Sequence, residues 1–583
     1  MKQGKPKIVI SMLLILIMLF TSCTTASNQT ITAQESTLAD AESSSIITVD
    51  PAPYRASVSS PLQAQTYYDE QDIVDASRFQ AVYIDLNQKD AVIEGVSATW
   101  AEEGNLTITH DGSDLINYIL SGQMDGTVVI ANNQAPYMVT LNGVKITGTT
   151  LPALQLAGSE KAFLVLADAS VNILSDTPEN SKKGVLTAAG DVIVSGNGSL
   201  EASAYKKHVL KIDGTLRILG GNVHLRTTEN AEGNAISVDK AFIMDDGSMT
   251  IEANGSVYGE ESKGIKVNGV EEEGTANGFA VVNGGTLTIT SVGKALTAGW
   301  DRDEDAETAT TSDDPTPNVI INNGVITLTT TDKPYEVSED ESLSPEGLEA
   351  KEHLIINGGL IQVSATDDAL NAGSSIEING GLLFAYSSQA DGLDSNGTVE
   401  VNGGTIIALG SRAPETAIDC DNNQNFTYRG GTIVAIGGAA NNTPLAQETS
   451  GYVITYGGKL ESGTALSLLN AQNKHVLAYS IPSYYSEGQA LLLASDELQA
   501  GQAFTLLVGG KLTDGNHFNG LALGQPVYDG GEQLQAEITS RVSHVGEALR
   551  SMGFGGNRPE PPEGFGGERP DFPEGFGPPM FNQ

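Results

Sequence analysis

A short repeat in the second half of the chain limits the possible folds more than any other feature. Its marker is a β-forming residue, a polar residue and two glycines. The clearest copies are Ile356-Asn357-Gly358-Gly359, Ile378-Asn379-Gly380-Gly381, Val401-Asn402-Gly403-Gly404 and Tyr428-Arg429-Gly430-Gly431, with weaker copies at Val282-Asn283-Gly284-Gly285 and Ile321-Asn322-Asn323-Gly324. Successive clear copies are separated by 22, 23 and 27 residues. A period this short leaves no room for a helix in every repeat, which excludes the helical solenoids.

Each glycine corner is followed by an alternating apolar run and then by a second marker, a small residue before an aliphatic one. Copies of the second marker are Gly264-Ile265, Ala295-Leu296, Gly347-Leu348, Ala369-Leu370, Gly392-Leu393 and Ala417-Ile418. Two turn signals and several short strands make one coil, and glycine supplies backbone angles that other residues avoid. The sequence therefore predicts an all-β fold, a right-handed parallel β-helix (β-solenoid) with β-rich caps at both ends.

Composition shifts divide the chain into six predicted segments. These are a lipoprotein signal peptide at 1–22, a disordered tether at 23–64, an N-terminal β cap at 65–140, the parallel β-helix at 141–440, a C-terminal β cap or small sandwich at 441–545, and a disordered Gly/Pro/Phe-rich tail at 546–583. Two longer gaps between coils, around 300–317 and 334–350, are predicted to be acidic loop insertions.

The N-terminal segment is typical of an exported protein. Lysines at 2, 5 and 7 precede an apolar run from Ile8 to Phe20, which is too short to span a bilayer comfortably. Leu19-Phe20-Thr21-Ser22-Cys23 resembles a bacterial lipobox, so we expect lipidation of Cys23 and anchoring at the extracellular face of the cell membrane. Phe20 stands where leucine is usual, which leaves plain secretory cleavage open. With Cys23 lipidated, Cys420 has no disulfide partner.

The charge balance restricts the partners. The formal net charge is -42, with Lys+Arg 31 against Asp+Glu 73, and removal of the signal peptide makes it about -45. Such a surface repels nucleic acid and anionic lipid, and it repels an acidic polysaccharide unless a cation stands between them. We expect a monomer with no nucleic-acid partner. The 7 histidines are scattered, which argues against zinc.

Acidic residues recur beside the second marker in the downstream coils. Aligned on it, Glu346-Gly347-Leu348-Glu349, Asp368-Ala369-Leu370-Asn371, Asp391-Gly392-Leu393-Asp394 and Thr416-Ala417-Ile418-Asp419 place side chains at equivalent positions. Stacked coils lie about 4.8 Å apart, and two carboxylates at that separation repel by about 1 kcal/mol in water and about 3 to 4 kcal/mol at a dielectric of 20. Calcium relieves this repulsion, because it takes oxygen ligands at about 2.3 to 2.6 Å and fits between them.

The predicted calcium ligands are therefore acidic residues of these coils, namely Glu349, Asp367, Asp368, Asp391, Asp394, Asp419 and Asp421. The alternative is that the aspartates cap turns through their own backbone amides and stay solvated. Earlier coils carry Lys263, Lys266 and Lys294 in the same columns, so we expect the metal sites in the C-terminal half of the β-helix.

Taken together, the lipobox, the coil length, Lys263-Gly264-Ile265-Lys266, the Asp-bearing markers and the Asn-Gly-Gly corners resemble a family of clostridial secreted carbohydrate-binding domain-containing proteins. These look like polysaccharide lyases in fold. The resemblance covers roughly 65–510. It implies a calcium-loaded β-helix that binds plant cell-wall glycans, polygalacturonate and cellulose among them, without established catalysis.

Three functions remain open at this level. The first is polysaccharide binding, through calcium that bridges to an acidic glycan or through the aromatic candidates Trp300, Tyr386 and Tyr428. The second is a calcium-dependent uronate lyase, for which Arg412 is the candidate base, although an arginine paired with the acidic ladder is the simpler explanation. The third is a surface adhesin or spacer. We expect a protein that binds rather than cleaves.

Overall fold

The structure is a computed structural model, and it describes residues 67, 69–73, 75–89, 96–101, 104–180, 183–270, 277–299, 318–338, 341–420, 425–486, 488–513 and 515–549. The predicted signal peptide, Cys23 and tether lie outside these residues, as does the predicted tail beyond 549. Helical structure in the described part is limited to short 3-10 turns, which include Glu70–Asp72 and Ala76–Arg78. None of the described helices combines the length and apolar character needed to cross a membrane.

Strands make up the rest of the regular structure. The strands before residue 300 are β1 (Gln80–Asp85), β2 (Ser97–Trp100), β3 (Leu106–His110), β4 (Ile116–Asp125), β5 (Val128–Asn132), β6 (Tyr137–Gly148), β7 (Leu154–Leu156), β8 (Ala162–Leu166), β9 (Val171–Asp176), β10 (Gly184–Ala188), β11 (Val192–Gly196), β12 (Ser199–Ala204), β13 (His208–Ile212), β14 (Thr215–Ile218), β15 (Asn222–Thr227), β16 (Ile236–Val238), β17 (Ala241–Met244), β18 (Ser248–Ala253), β19 (Ile265–Val267), β20 (Phe279–Val282), β21 (Thr286–Ser291) and β22 (Leu296–Ala298). Those after it are β23 (Val319–Ile321), β24 (Val325–Thr330), β25 (Tyr335–Ser338), β26 (Glu341–Leu343), β27 (Leu348–Ala350), β28 (His353–Ile356), β29 (Leu360–Ala365), β30 (Leu370–Ala372), β31 (Ser375–Ile378), β32 (Leu382–Ser387), β33 (Leu393–Ser395), β34 (Thr398–Val401), β35 (Thr405–Leu409), β36 (Ile418–Cys420), β37 (Phe426–Tyr428), β38 (Thr432–Gly437), β39 (Val453–Leu460), β40 (Ala465–Leu469), β41 (His475–Ser480), β42 (Gly488–Ala494), β43 (Ala503–Thr513), β44 (His517–Phe518), β45 (Leu521–Ala522), β46 (Val527–Asp529), β47 (Glu532–Glu537) and β48 (Val542–Gly546).

Most of these strands fall into three parallel ladders. Ladder 1 contains β3, β5, β7, β10, β13, β16, β19, β22, β27, β30, β33 and β36. Ladder 2 contains β8, β11, β14, β17, β20, β23, β28, β31, β34 and β37, and ladder 3 contains β9, β12, β15, β18, β21, β24, β29, β32, β35 and β38. The chain visits ladders 1, 2 and 3 in turn and then returns to ladder 1. The predicted all-β class with long parallel sheets is confirmed.

The alternation of side chains explains why these short segments form strands. In β30, Leu370 and Ala372 are buried while Asn371 between them is partly exposed, and β33 and β36 repeat this pattern. Inward-pointing residues of all three ladders join one apolar core that runs from Val82 to Ala494. Successive strand residues point to opposite faces, so each ladder also presents an outer face.

The predicted corner signature has two physical functions in the structure. Its second glycine has positive φ, for example 96° at Gly359 and 91° at Gly381. A Cβ atom on Gly381 would also lie 2.9 Å from the carbonyl carbon of Gly358 in the preceding coil. Glycine is therefore required both for the turn and for the close approach of two coils.

The asparagines of the same corners form a hydrogen-bonded column. Each side-chain amide donates to the amide oxygen of the preceding corner, with distances of 2.8 to 2.9 Å along Asn283, Asn322, Asn357, Asn379 and Asn402. Asp245 accepts from the first amide at 2.9 Å, and Arg429 donates to the last at 2.8 Å. A side-chain amide carries both hydrogen-bond donors and an acceptor, so an asparagine can donate to one neighbouring coil and accept from the other.

Ladders 2 and 3 have outer faces that are partly covered by the ends of the chain. The Tyr67 ring stacks on Phe279 at a centroid distance of 4.0 Å. Phe79 packs against Phe163 and Ile193 of ladder 2 and against Met138 of β6, which pairs with that ladder. At the other end, β42 pairs antiparallel with β38 and β39, which ends the parallel ladder. A 7-stranded antiparallel sheet of β40, β41 and β43 to β47 then packs over the outer apolar residues of β29, β32, β35 and β38.

Two features differ from the sequence-based expectation. Parallel pairing starts at β1, β4 and β6, and also at β3 and β5, upstream of residue 141, because alternating strands there form coils without the Asn-Gly-Gly marker. The predicted loop at 334–350 contains the antiparallel hairpin of β25 and β26, whose Tyr-Glu-Val-Ser sequence alternates as a strand does. The 300–317 insertion lies outside the described residues.

The corner glycines give the first test of this fold. Gly381→Ala should destabilise the protein by about 3 kcal/mol, because left-handed backbone strain adds to overpacking against the preceding coil. Gly463→Ala is the matched control, since Gly463 has φ 71° with nothing within 4 Å of a built Cβ atom. It should cost only about 1 to 2 kcal/mol. Chemical denaturation of both variants measures the difference, and equal losses would contradict the close-approach argument.

Candidate metal centre

Two columns of polar side chains run along the outer face of ladder 1. The first column consists of the middle residues of its strands, and the register aligns Lys266, Thr297, Glu349, Asn371, Asp394 and Asp419 in that order. The sequence alignment on the small-aliphatic marker is thereby confirmed. Because adjacent strands lie about 4.8 Å apart, each member of this column faces its neighbours in the coils above and below.

The second column stands three residues earlier in each coil. Backbone hydrogen bonds connect the coils here, with Gly264, Ala295, Gly347, Ala369 and Gly392 donating to the carbonyl oxygens of Lys294, Glu346, Asp368, Asp391 and Thr416 at 3.0 to 3.3 Å. The second column therefore reads Lys263, Lys294, Glu346, Asp368, Asp391 and Thr416. Both columns change from basic residues upstream to acidic residues downstream.

The two columns bring three aspartates together at their downstream end. One carboxylate oxygen from each of Asp391, Asp394 and Asp419 lies within 4.8 Å of the other two. Asp391 is buried, while Asp394 and Asp419 are partly exposed. Burial raises the pKa of Asp391 to about 8, and the charges of Asp394, Asp419 and Glu415 contribute. The group therefore holds more negative charge than its surroundings stabilise.

Hydrogen bonds to backbone amides stabilise part of this charge. Asp368 accepts from the backbone N–H of Asp391 at 2.8 Å, and Asp391 accepts from the backbone N–H of Thr416 in the next coil. Both N–H groups belong to the next coil, 23 and 25 residues away, so these contacts are not the predicted turn capping through an aspartate's own backbone amides. They do not neutralise the cluster, because burial and the charges of Asp394 and Asp367 still raise the pKa of Asp368 well above its usual range.

Glu349 has a different environment from the three aspartates. Lys294 lies 2.8 Å from Glu349 and 2.6 Å from Glu346, and Lys351 lies 3.0 Å from Glu349. These lysines, despite burial, hold the pKa of Glu349 below its ordinary value. The predicted ligand Glu349 is thus engaged in ion pairs two coils upstream of Asp394. Asp367 is partly exposed, and burial raises its pKa.

Two predicted ligand-contacting residues, Asp421 and Trp300, lie outside the described residues. Tyr428 is fully buried in the core, and its hydroxyl donates to the carbonyl of Gly431 at 2.7 Å. The prediction that Tyr428 contacts a sugar is therefore wrong, because an inward strand position leaves no accessible ring face. Tyr386 points outward from ladder 3 and packs against Tyr484 at a ring distance of 5.3 Å.

Arg412 lies on the segment between β35 and β36. Its side chain is exposed, and no ion pair within 4.0 Å joins it to any described carboxylate. The expectation that Arg412 pairs with the acidic ladder is therefore not met in the described part of the chain. The same segment carries Glu415, which sequence reasoning missed. Burial and the charge of Asp419 raise the pKa of Glu415, and its position directly before Thr416 was the available signal.

The chemistry of the trio fits a hard cation. Three carboxylates within one coil spacing offer the oxygen ligands that calcium prefers, and calcium takes 6 to 8 of them in flexible geometry. Asp391, Asp394 and Asp419 could hold such an ion, while neighbouring Asp368 and Glu415 add negative charge. A bound cation would stabilise the ionised form of Asp391 that burial disfavours.

Comparison with known proteins gives a family for part of the chain. Residues 102–392 match the model of a family described as carbohydrate-binding domain-containing protein. A protein of Acetivibrio thermocellus named carbohydrate-binding domain-containing protein is 26% identical over 144 residues, which are 23% of this chain. That alignment spans 48% of the relative, so the chain matches about half of its length.

A solved structure titled as the polysaccharide lyase-like protein from C. thermocellum, a gadolinium derivative, is also similar. It is 17% identical, and the alignment covers 56% of this chain and 92% of that one, with a TM-score of 0.30. A likeness of this size carries no argument about this chain. Asp394 and Asp419 lie beyond the end of the matched family domain, although Asp391 lies within it.

The raised pKa of Asp391 gives a test of the site. In the presence of a chelator, wild-type stability should fall as pH rises from about 4 to about 8. Folded Asp391 holds its proton up to about pH 8, whereas the unfolded carboxyl ionises near 3.8, so stabilisation present below 3.8 is lost across this window. Calcium at about 100 times its Kd should restore about 2.7 kcal/mol. Thermal melting at several pH values measures both effects.

Asp391→Asn should reduce the fall with pH and lose the calcium effect. Exposed Asp529→Asn, which removes the same charge far from the trio, should leave both unchanged. A wild-type melting temperature that does not respond to calcium at pH 8 would rule out the metal centre.

Proposed function

We propose that this protein is a non-catalytic polysaccharide-binding protein in which Asp391, Asp394 and Asp419 hold calcium that bridges to an acidic glycan such as polygalacturonate. The observation that carries the proposal is the convergence of three carboxylates within 4.8 Å. The family domain over 102–392 supports polysaccharide as the partner. Its description names carbohydrate binding and leaves the sugar unspecified.

Calcium resolves a conflict of charge in this proposal. A chain with a formal net charge of -42 repels a polyuronate, so the two need a cation between them. Three protein carboxylates fill only part of a calcium coordination sphere, which leaves positions for oxygen atoms of the glycan. Asp394 and Asp419 are partly exposed on ladder 1, which makes the group accessible from solvent.

The fold supports ladder 1 as the binding face. We infer that the three ladders wrap into a closed, right-handed parallel β-helix, since each ladder is revisited once per coil. Apolar packing covers parts of the outer faces of ladders 2 and 3. An extended polysaccharide lying along ladder 1 would follow the stacking direction of the coils.

The cellular context stays a proposal that rests on sequence. A signal peptide at 1–22 and a lipid on Cys23 would place the protein on the extracellular face of the cell membrane, as a monomer on a flexible tether. Exposure to plant cell-wall glycans is consistent with that location.

A uronate lyase is the second candidate function. Lyase chemistry needs a base near the metal to remove the proton next to the uronate carboxylate. Arg412 is exposed, makes no ion pair with described residues, and lies on the segment that leads to Thr416. This exposure favours Arg412 as the residue to test for catalysis.

Retention on immobilised polygalacturonate distinguishes these functions. Wild-type protein should be retained in calcium and released by chelator. Asp394→Asn should weaken retention at least ~10-fold, because the trio loses one ligand charge. Asp529→Asn should behave as wild type.

The same incubation, followed by ultraviolet absorbance of unsaturated uronide products, tests catalysis. We expect no absorbance increase. Growth of absorbance that Arg412→Ala abolishes would replace binding by a lyase function. A protein retained neither by polygalacturonate nor by cellulose would instead be an adhesin or spacer.

A further inference from the structure

A cleft of about 480 Å³ lies on ladder 1 upstream of the aspartate trio. Its floor includes Lys263 and Lys266 of one coil and Lys294 of the next, and Lys351 also lines it. In a chain with 31 basic and 73 acidic side chains, four lysines against three glutamates in one lining are a local excess of basic residues. The volume falls within the range of 300 to 1,000 Å³ that is typical of small-molecule sites.

Lys294 and Lys351 of this cleft have carboxylate partners. Lys294 contacts both Glu346 and Glu349, and Lys351 contacts Glu349, at distances of 2.6 to 3.0 Å. Lys263, by contrast, makes no ion pair within 4.0 Å with any described residue. Burial, together with the charges of Lys266 and Lys294, lowers the pKa of Lys263 to about 8. Its surroundings thus lack the anion that a partly buried ammonium needs.

The acidic residues around the cleft are engaged elsewhere or exposed. Glu232 lies 2.6 Å from Lys207, and Glu261 accepts from the hydroxyl of Tyr335 at 2.9 Å. Glu260 is exposed at the rim. These contacts leave Lys263 with a long-range attraction from Glu349 but no direct neutralisation.

The walls of the cleft provide groups that suit a sugar. Tyr258 is 59% exposed and stacks on Tyr335 at a ring distance of 4.9 Å, directly before Gly259, which lines the cleft. His208 accepts from the backbone N–H of Asn234 through Nδ1 at 2.8 Å. This bond leaves the proton of neutral His208 on Nε2, where it is a donor at the cleft. Aromatic faces and a few convergent donors are common in saccharide and small-molecule sites.

We infer that this lysine-lined cleft is a second glycan site, which binds the carboxylate of a uronic acid residue directly through Lys263 without calcium. The inference rests on the proposed polysaccharide-binding function and names an acidic sugar as its ligand class. The register places Lys266 four coils from Asp394, about 19 Å along ladder 1. One extended acidic chain could therefore contact both sites, directly at the lysines and through calcium at the aspartates.

The test uses the full-length protein and tri-galacturonate, with titration calorimetry in chelator so that the calcium site cannot contribute. Wild type should bind, Lys263→Gln should bind at least ~10-fold more weakly, and Lys263→Arg should keep most of the affinity. Exposed Lys474→Gln, which removes the same charge in the C-terminal cap, should match wild type. Thermal melting of each variant checks folding, and loss of an unneutralised buried charge should not lower it.

Three results would overturn the inference. They are wild-type affinity in Lys263→Gln, absence of wild-type binding in chelator, and equal affinity for inorganic phosphate or for neutral cellotriose. Binding that appears only with calcium would overturn this inference while leaving the aspartate centre intact. Lys263-dependent binding in chelator would support the inference. If retention is then independent of calcium, only the proposed calcium bridge would be contradicted.

Discussion

The distance between stacked coils is the constraint on which the other features of this protein depend. Every ladder repeats its side chains at one strand spacing, about 4.8 Å, so residues at equivalent positions stand in columns. The corner glycines permit that approach, since a Cβ atom on Gly381 would lie 2.9 Å from backbone of the preceding coil. The residue type in a column then decides whether this spacing produces stabilising hydrogen bonds or places like charges next to each other.

The asparagine and aspartate columns show the two outcomes. Asn357 and Asn379 form a 2.9 Å hydrogen bond because each amide is both donor and acceptor. Ionised carboxylates are acceptors only, and the same spacing places Asp394 opposite Asp419 with no proton to share. Amide contacts satisfy part of Asp391, but its pKa still rises to about 8 through burial and neighbouring charge. This unneutralised charge is the reason for proposing a cation among Asp391, Asp394 and Asp419.

The sequence was sufficient to predict the columns but not all of their partners. The small-aliphatic markers aligned Asp394 with Asp419 correctly, because one residue type is forced inward at each coil. The ion pairs of Lys294 with Glu346 and Glu349 depend on an alignment across a long separation, which is 52 residues for Glu346 and includes an insertion. Whether Tyr428 is buried depends on which face of its strand it occupies, and an alignment error of one residue assigns a side chain to the opposite face. The antiparallel sheet that covers ladder 3 is not built from repeats, so no periodic pattern in the sequence predicts where it packs.

The most direct measurement of the central claim is anomalous scattering from a crystal of the protein grown with calcium. The account predicts a single strong peak among Asp391, Asp394 and Asp419, at about 2.3 to 2.6 Å from their carboxylate oxygens. A map with no peak there, at calcium concentrations that saturate polygalacturonate retention, would contradict it.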